Sequence, residues 1–264
     1  MKIAIAGCCG RMGLTLVKAV LADEGLTLVA GSERPGFDEK VVASKLETVG
    51  CKNLFITSSP DVLAEAADAI LDFTSPESTL AIARAAAKSG RVHIVGTTGF
   101  TDAEKQELAN HARTARMVQS GNFSIGVNLL EKLVEQMAVL LDDSYDIEIF
   151  EMHHKHKKDA PSGTALMLGE AAARGRGVVL ADKKASARDG ITGERRRGDI
   201  GFAALRGGDV VGIHEVMFAG QGEIIEIRHQ GFNRDIFASG ALRAAKWAIT
   251  QKPGLYSMKN VLGL

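Results

Sequence analysis

The 264 residues carry 32 Lys plus Arg against 32 Asp plus Glu, a formal net charge of +0, so no whole-molecule field recruits nucleic acid or an anionic membrane surface. Hydrophobic residues at 45% and charged ones at 24% sit at the folded globular average, which excludes disordered, fibrous and coiled-coil classes, and 5% aromatics leave few platforms for stacking bases. No apolar run approaches the about 18–20 residues that span a bilayer; with Gly7 too early for a secretory leader and three cysteines lacking a paired spacing, the expectation is a cytoplasmic chain of one large or two smaller domains.

Residues 2–6 alternate as a short strand, and Gly7-Cys8-Cys9-Gly10-Arg11-Met12-Gly13 turns it into a helix whose Leu14, Val17, Val20 and Leu21 recur at helical spacing before Gly25. A glycine turn between strand and helix lets backbone amides at the helix N-terminus approach a pyrophosphate. The spacing is GxxGxxG rather than the usual GxGxxG, so a second signal is needed: an acidic residue about 20 residues on, after the second strand, to accept ribose hydroxyls. Residues 26–30 read as that strand, and Glu33 follows it. Arg34 beside it suits a 2′-phosphate, so the pair points to NADPH or NADH without a strong choice between them. Cys8 and Cys9 lie in the loop, where the helix end would lower a thiol pKa and make cofactor binding oxidation-sensitive; the plainer reading is two small inert residues lining a turn.

Residues 54–57 and 69–73 read as further strands, the latter running into Thr74-Ser75-Pro76, an N-cap with Pro at the first helical position. The alanine-rich run to about Lys88 is the next helix, 92–95 the next strand, and Thr101-x-x-Glu104 a capping box. Gly96-Thr97-Thr98-Gly99 follows a strand, where open α/β sheets collect ligands, and suits either the nicotinamide end of a cofactor or a plain turn. Strands alternating with helices predict an α/β fold, a Rossmann-like dinucleotide-binding domain with a parallel sheet.

After Ser120 the pattern changes. An amphipathic helix over about 124–141 shows Val127, Leu130, Val134, Met137 and Leu141 on one face, a strand follows at 146–152, and another helix opens at Ser162. Three β-rich runs, 202–205, 210–218 and 224–229, are separated by the turns Gly207-Gly208-Asp209 and Gly220-Gln221-Gly222. These predict an α+β domain with a mostly antiparallel sheet. The helical stretch 234–250 must bury its apolar face and is expected on the first domain, giving a dinucleotide-binding domain of 1–123 and 234–264 and a second domain of 124–233.

The richest chemistry lies in Glu151-Met152-His153-His154-Lys155-His156-Lys157-Lys158-Asp159-Ala160-Pro161-Ser162-Gly163-Thr164, which packs three His and three Lys into a strand-to-helix connection. Its spacing matches no metal-binding pattern and the lysines would repel a cation, so no metal is expected. Free amides at the helix start, two hydroxyls and nearby cations favour a carboxylate ligand instead. Crowded like charges should lower the pKa of a His or Lys in the empty site and a bound dianion should raise it, which suits proton donation on binding; a solvated charge run is the bland alternative. The strand histidines His214 and His229 carry no such signal alone.

Gly7 to Gly13, Asp72-Phe73-Thr74, Gly96 to Gly99, Asn122-Phe123-Ser124-Ile125-Gly126-Val127-Asn128 and above all the ExHHxxKxDxPSGTA run from Glu151 to Ala165 resemble the dihydrodipicolinate reductase family over nearly the whole chain. The resemblance implies NAD(P)H-dependent reduction of a cyclic imine dicarboxylate, 4-hydroxy-tetrahydrodipicolinate, to tetrahydrodipicolinate with loss of water, in diaminopimelate and lysine biosynthesis. It also implies a cytoplasmic homotetramer assembled through the second domain, which would bind substrate as well as oligomerise, with no nucleic-acid or membrane partner. By the same resemblance His153 and Lys157 are catalytic proton carriers, and His154, Gly163 and Thr164 contact substrate. Gly7, Cys8, Cys9, Gly10, Arg11, Met12, Glu33, Arg34, Gly96, Thr97, Thr98, Ser120, Gly121, Asn122 and Phe123 match cofactor contacts.

Overall fold

The computed structural model describes residues 1–186 and 188–264, which divide into two compact units: Met1–Ile125 with Arg234–Leu264, and Gly126–Asn233. In the first unit the chain runs β1 (Lys2–Ala6), α1 (Arg11–Leu21), β2 (Thr27–Ser32), α2 (Glu39–Glu47), β3 (Phe55–Thr57), α3 (Pro60–Ala66), β4 (Ala69–Asp72), α4 (Pro76–Ser89), β5 (Val92–Val95), α5 (Asp102–His111) and β6 (Arg116–Gln119). The second unit holds α6 (Ile125–Leu140, its first residue in unit one), β7 (Asp146–His153), α7 (Gly163–Arg176), α8 (Leu180–Lys183), β8 (Lys184–Ser186), β9 (Ile200–Arg206), β10 (Gly212–Gly220) and β11 (Glu223–Gly231). The chain then returns to the first unit as α9 (Asp235–Ala248), β12 (Gly254–Tyr256) and α10 (Met258–Leu262).

The first sheet is parallel throughout, in the order β12-β6-β5-β4-β1-β2-β3. Its central strands β4 and β5 are buried at every position, as expected where helices cover both faces, which is why they read as short continuous runs rather than alternating ones. Order reverses at β1, flanked by β2 and β4, and this is the switch point at which such sheets bind ligands outside the strand ends. The local signals behave as their chemistry dictates. Ser75 caps α4 above Pro76 and Gly90 closes it at φ 65°, while Thr101 and Glu104 form a reciprocal capping box on α5. The returning α9 is alanine-rich on its buried face, so it lies close to its neighbours; a Cβ on Gly240 would fall 1.7 Å from the Phe123 carbonyl oxygen.

The second sheet is mixed, in the order β11-β10-β7-β9-β8. The pairings of β10 with β11 and of β10 with β7 are antiparallel; β9 runs parallel to both β7 and β8 because the chain crosses through α7 before β9 is laid down. One face buries Ile147, Ile149, Val216 and Phe218 against α6 and α7. Residues directly opposite in register share a face, so the other face gathers Phe150, Met152, Leu205, Met217 and Ile224, with Leu205 50% and Ile224 60% exposed.

Candidate active site

In the first unit the glycine turn is shaped by close approach. A Cβ on Gly13 would lie 2.1 Å from the Gly7 carbonyl oxygen, and Gly7 itself adopts φ 61° against the Thr74 methyl, so the turn, α1 and the end of β4 nest together only as glycines. No side chain caps α1, whose N-cap is Gly10; its first amides and positive dipole end are therefore presented bare. The Cys9 amide donates to Glu33 Oε1 at 2.7 Å, tying the loop to the end of β2. Beside this lies a cavity of about 590 Å³ lined by Gly7, Ser32, Glu33, Arg34, Thr74 and Ser75 among others. Uncapped amides, a carboxylate at the β2 end and an adjoining cavity are what a dinucleotide's diphosphate and ribose require, so the residues present fit such a cofactor.

Below the loop, Asp72 and His93 are completely buried, with Asp72 Oδ2 3.1 Å from His93 Nε2. Asp72 Oδ1 accepts from the Thr74 amide and hydroxyl at 3.0 and 2.6 Å, and the Thr97 hydroxyl bonds the Thr74 amide and the Thr79 hydroxyl. Burial works against the Asp72 carboxylate, yet the His93 ring and the Thr74 hydroxyl hold it below the ordinary carboxylate range. Thr97 thus spends its hydroxyl inside the protein, whereas Thr98 is exposed. Phe123 is likewise core, its ring 5.4 Å from Phe73. Ser120 donates to the Asn122 carbonyl, and Gly121 is exposed. Of the two readings of the thiols, the structure contradicts the lowered pKa: burial and Glu33 push both Cys8 and Cys9 up, so neither is an activated thiolate.

In the second unit β7 alternates strictly, which sends Ile147, Ile149, Glu151 and His153 to the same buried face. Glu151 is 1% exposed and fully satisfied: it accepts hydrogen bonds from His153 Nδ1 at 2.6 Å, from both Arg206 Nη atoms at 2.8 and 2.7 Å, and from the Ser162 amide at 3.0 Å. With Nδ1 committed to a carboxylate, Nε2 is the ring nitrogen left to meet a ligand. A Cβ on Gly212 would come within 3.1 Å of that nitrogen, so glycine there keeps its flank clear. Burial lowers the His153 pKa; Glu151 pulls it back up, while Lys157 and Arg206 depress it further, so the ring is harder to protonate than a free imidazole.

The Ser162 hydroxyl caps α7 through the Ala165 amide at 3.2 Å and meets His214 Nε2 at 3.1 Å, and the His214 ring stands edge-on to His153 with centroids 5.0 Å apart. Gly163 and Thr164 are the first two residues of α7; a Cβ on Gly163 would meet nothing within 4 Å, so open space lies where a carboxylate would contact the helix end. Lys157 pairs with Asp159 at 2.9 Å, and His154 is half-buried.

Residues 1–123 match the family described as dihydrodipicolinate reductase, N-terminus, and residues 126–262 match that described as dihydrodipicolinate reductase, C-terminus. The chain belongs to the dihydrodipicolinate reductase family. It is 52% identical over 264 residues to the 4-hydroxy-tetrahydrodipicolinate reductase of Dinoroseobacter shibae, covering 99% of this chain and 98% of that one. Against the same-named protein of Parvibaculum lavamentivorans the identity is 50% over 269 residues, covering 100% and 98%. A dipicolinate-bound dihydrodipicolinate reductase from Paenisporosarcina sp. TG-14 superposes at a TM-score of 0.78 with 26% identity, covering 98% of each chain. A DAP dehydrogenase from C. glutamicum, 14% identical with a TM-score of 0.56 over 98% of this chain and 92% of that one, shares the fold alone.

Within this reductase fold two sets of the sequence-named residues come together. The turn 7–12 gathers at the β1 end with Glu33 and Arg34, and His153 is tied through Glu151 and the Ser162 amide to the start of α7, where Gly163 and Thr164 lie. Two residues of the second group were not foreseen. Arg206 lies opposite His153, and His214 opposite Glu151, by strand register alone. The available signal for Arg206 was a lone arginine closing a strand before Gly207-Gly208; for His214 there was none beyond its residue type.

Proposed function

We propose that the chain is an NAD(P)H-dependent oxidoreductase that converts 4-hydroxy-tetrahydrodipicolinate to tetrahydrodipicolinate, with loss of the hydroxyl as water, in the diaminopimelate route to lysine. The observation that carries this reading is the Glu151–His153 pair set beside the open first turn of α7, in a chain about half identical over its length to reductases of that name. The dinucleotide-binding domain is 1–123 with 234–264. The turn at Gly7, Cys8, Cys9, Gly10, Arg11 and Met12 takes the diphosphate, Glu33 the ribose and Arg34 a 2′-phosphate. Both NADPH and NADH are accepted, because Glu33 and the exposed Arg34 share one cavity.

When bound, the reduced nicotinamide supplies a hydride; the net reaction also consumes one proton and releases one water. The amides of Gly163 and Thr164 hold a substrate carboxylate at the α7 N-terminus, with His154 beside them. That dianion raises the pKa of His153, which takes up a proton at Nε2 while Glu151 stabilises the resulting imidazolium through Nδ1. Lys157 is the second proton carrier, drawn from its pair with Asp159. Arg206 fixes Glu151 and also donates to the Asp159 carbonyl, so one guanidinium holds both ends of the 151–162 segment.

The substrate-binding domain, 124–233, also carries the oligomerisation surface: the apolar residues on its open sheet face suit a homotetramer. A cytoplasmic location fits three free cysteines. Oxidation of NADPH and NADH is measured with the hydroxylated imine generated from pyruvate and aspartate semialdehyde, beside His153→Ala and Lys157→Ala. Turnover that falls by about 100-fold or more in each variant is expected; tight NADPH binding without turnover overturns the assignment.

A further inference from the structure

Two thiols and a carboxylate converge under the glycine turn. The Sγ atoms of Cys8 and Cys9 and a carboxylate oxygen of Glu33 lie within 4.8 Å of one another, and Cys8 Sγ is 3.8 Å from Glu33 Oε1. A tetrahedral zinc ion, with bonds of about 2.3 Å to sulfur and about 2.1 Å to oxygen, separates its ligand atoms by about 3.6–3.8 Å, so the set closes on such an ion through small side-chain rotations. We propose that Cys8, Cys9 and Glu33 form a binding site for a thiophilic divalent cation of the zinc class, and that its occupation excludes the dinucleotide.

The donor set selects the ion. Two sulfurs and one carboxylate favour zinc or cadmium over magnesium, calcium or manganese, which take oxygen ligands. Cys8 is buried, but Cys9 and Glu33 are partly exposed and Glu33 lines the 590 Å³ cavity, which gives the ion an entry path and a water in its fourth position. Two thiolates and a carboxylate around a dication leave one net negative charge, and the bare N-terminus of α1 opens at this loop to stabilise it. Binding breaks two S–H bonds, forms two metal–sulfur bonds and releases two protons to solvent. Because two protons are released, affinity rises with pH by up to about 100-fold per unit below the thiol range.

The exclusion rests on the dinucleotide reading above, since a Glu33 carboxylate bound to metal is withdrawn from the ribose and from the Cys9 amide that shapes the loop. Adjacent cysteines match no standard metal-ligand spacing, and the third ligand comes from the far end of β2, so the pattern is invisible along the chain.

The test is a Cd²⁺ titration of the reduced, metal-free full chain, followed by thiolate-to-cadmium charge-transfer absorbance, with Zn²⁺ as competitor. The expected result is a band saturating at one Cd²⁺ per chain, reversed by Zn²⁺ and by NADH. It is lost in Cys9→Ala, a part-exposed position whose truncation leaves the core intact, and in Glu33→Gln the affinity falls at least about tenfold. Cys51→Ser retains it. A band that survives in Cys9→Ala, or that saturating NADH leaves unchanged, overturns the proposal. Nucleotide fluorescence of the metal-free chain is read separately: absence of NADH binding there removes the dinucleotide reading and the exclusion with it, while the cysteine dependence of the band still decides the metal site.

Discussion

Glu151 is the residue on which the polar atoms of the second unit converge, and its role separates cleanly from that of His153. Glu151→Gln keeps the shape but removes the charge that offsets the burial of His153, so the ring pKa drops further and less of the ring is protonated at a given pH. We expect kcat to fall by about 100-fold or more with a small change in KM, and the limb of the pH–kcat profile that reports the proton donor to move to lower pH. His214 makes a second residue-scale prediction. Burial pushes it down to about 3 from the ordinary 6.5, so between those values the unfolded chain binds a proton that the folded chain does not. Its contribution to stability is complete above pH 6.5 and is lost as pH falls, at about 1.4 kcal/mol per pH unit. His214→Asn is expected to flatten that slope in denaturant titrations run from pH 7 to pH 4. The proximity of His214 and Arg206 to this segment was not readable from the chain, because they come opposite Glu151 and His153 only through strand register, His214 and Glu151 being 63 positions apart in sequence. That Glu151, His153, Lys157 and Gly163 lie near one another was legible, since they sit in one continuous segment with the helix start.

At the scale of elements, the turn-to-helix junction is the least tolerant part of the first unit. Gly13→Ala drives a methyl into the Gly7 carbonyl, which can be relieved only by moving α1 away from the turn. The expected outcome is a loss of about 1–3 kcal/mol in unfolding free energy and at least about tenfold weaker NADH binding by fluorescence titration. Strand and helix assignments carried by hard local signals, such as Ser75-Pro76 and the Thr101–Glu104 box, were legible in advance. The helix α2 was not: its buried face is only Val42 and Leu46, too few apolar positions to set a period, although Asp38 caps it. The three-residue strand β12 was missed because nothing in so short a run marks it as sheet until it pairs with β6. Side-chain direction was equally hidden, which is why Thr97 and Phe123 read as cofactor contacts although their side chains are used internally.

For the whole molecule, the open face of the second sheet is the feature that bears on assembly. If it mediates a homotetramer, Ile224→Asp places a charge on that face without touching the core, and sedimentation equilibrium should show a shift to smaller species with the monomer's circular dichroism preserved. A wild-type chain that sediments as a monomer at micromolar concentration would remove this reading.

The order in which the chain is made has a consequence of its own. Residues 1–125 leave the ribosome first, but the layer that covers β4, β5 and β6 on one side includes α9, and the sheet's outer strand is β12; both come from the stretch 234–264. The nascent dinucleotide fold therefore waits, with the strand faces that later meet Ala241, Ala244 and Ala245 uncovered, while all of 126–233 is synthesised and free to fold as a closed unit. The first unit to begin is the last to finish, and in a pulse-chase proteolysis experiment protection of the second unit should precede protection of the first.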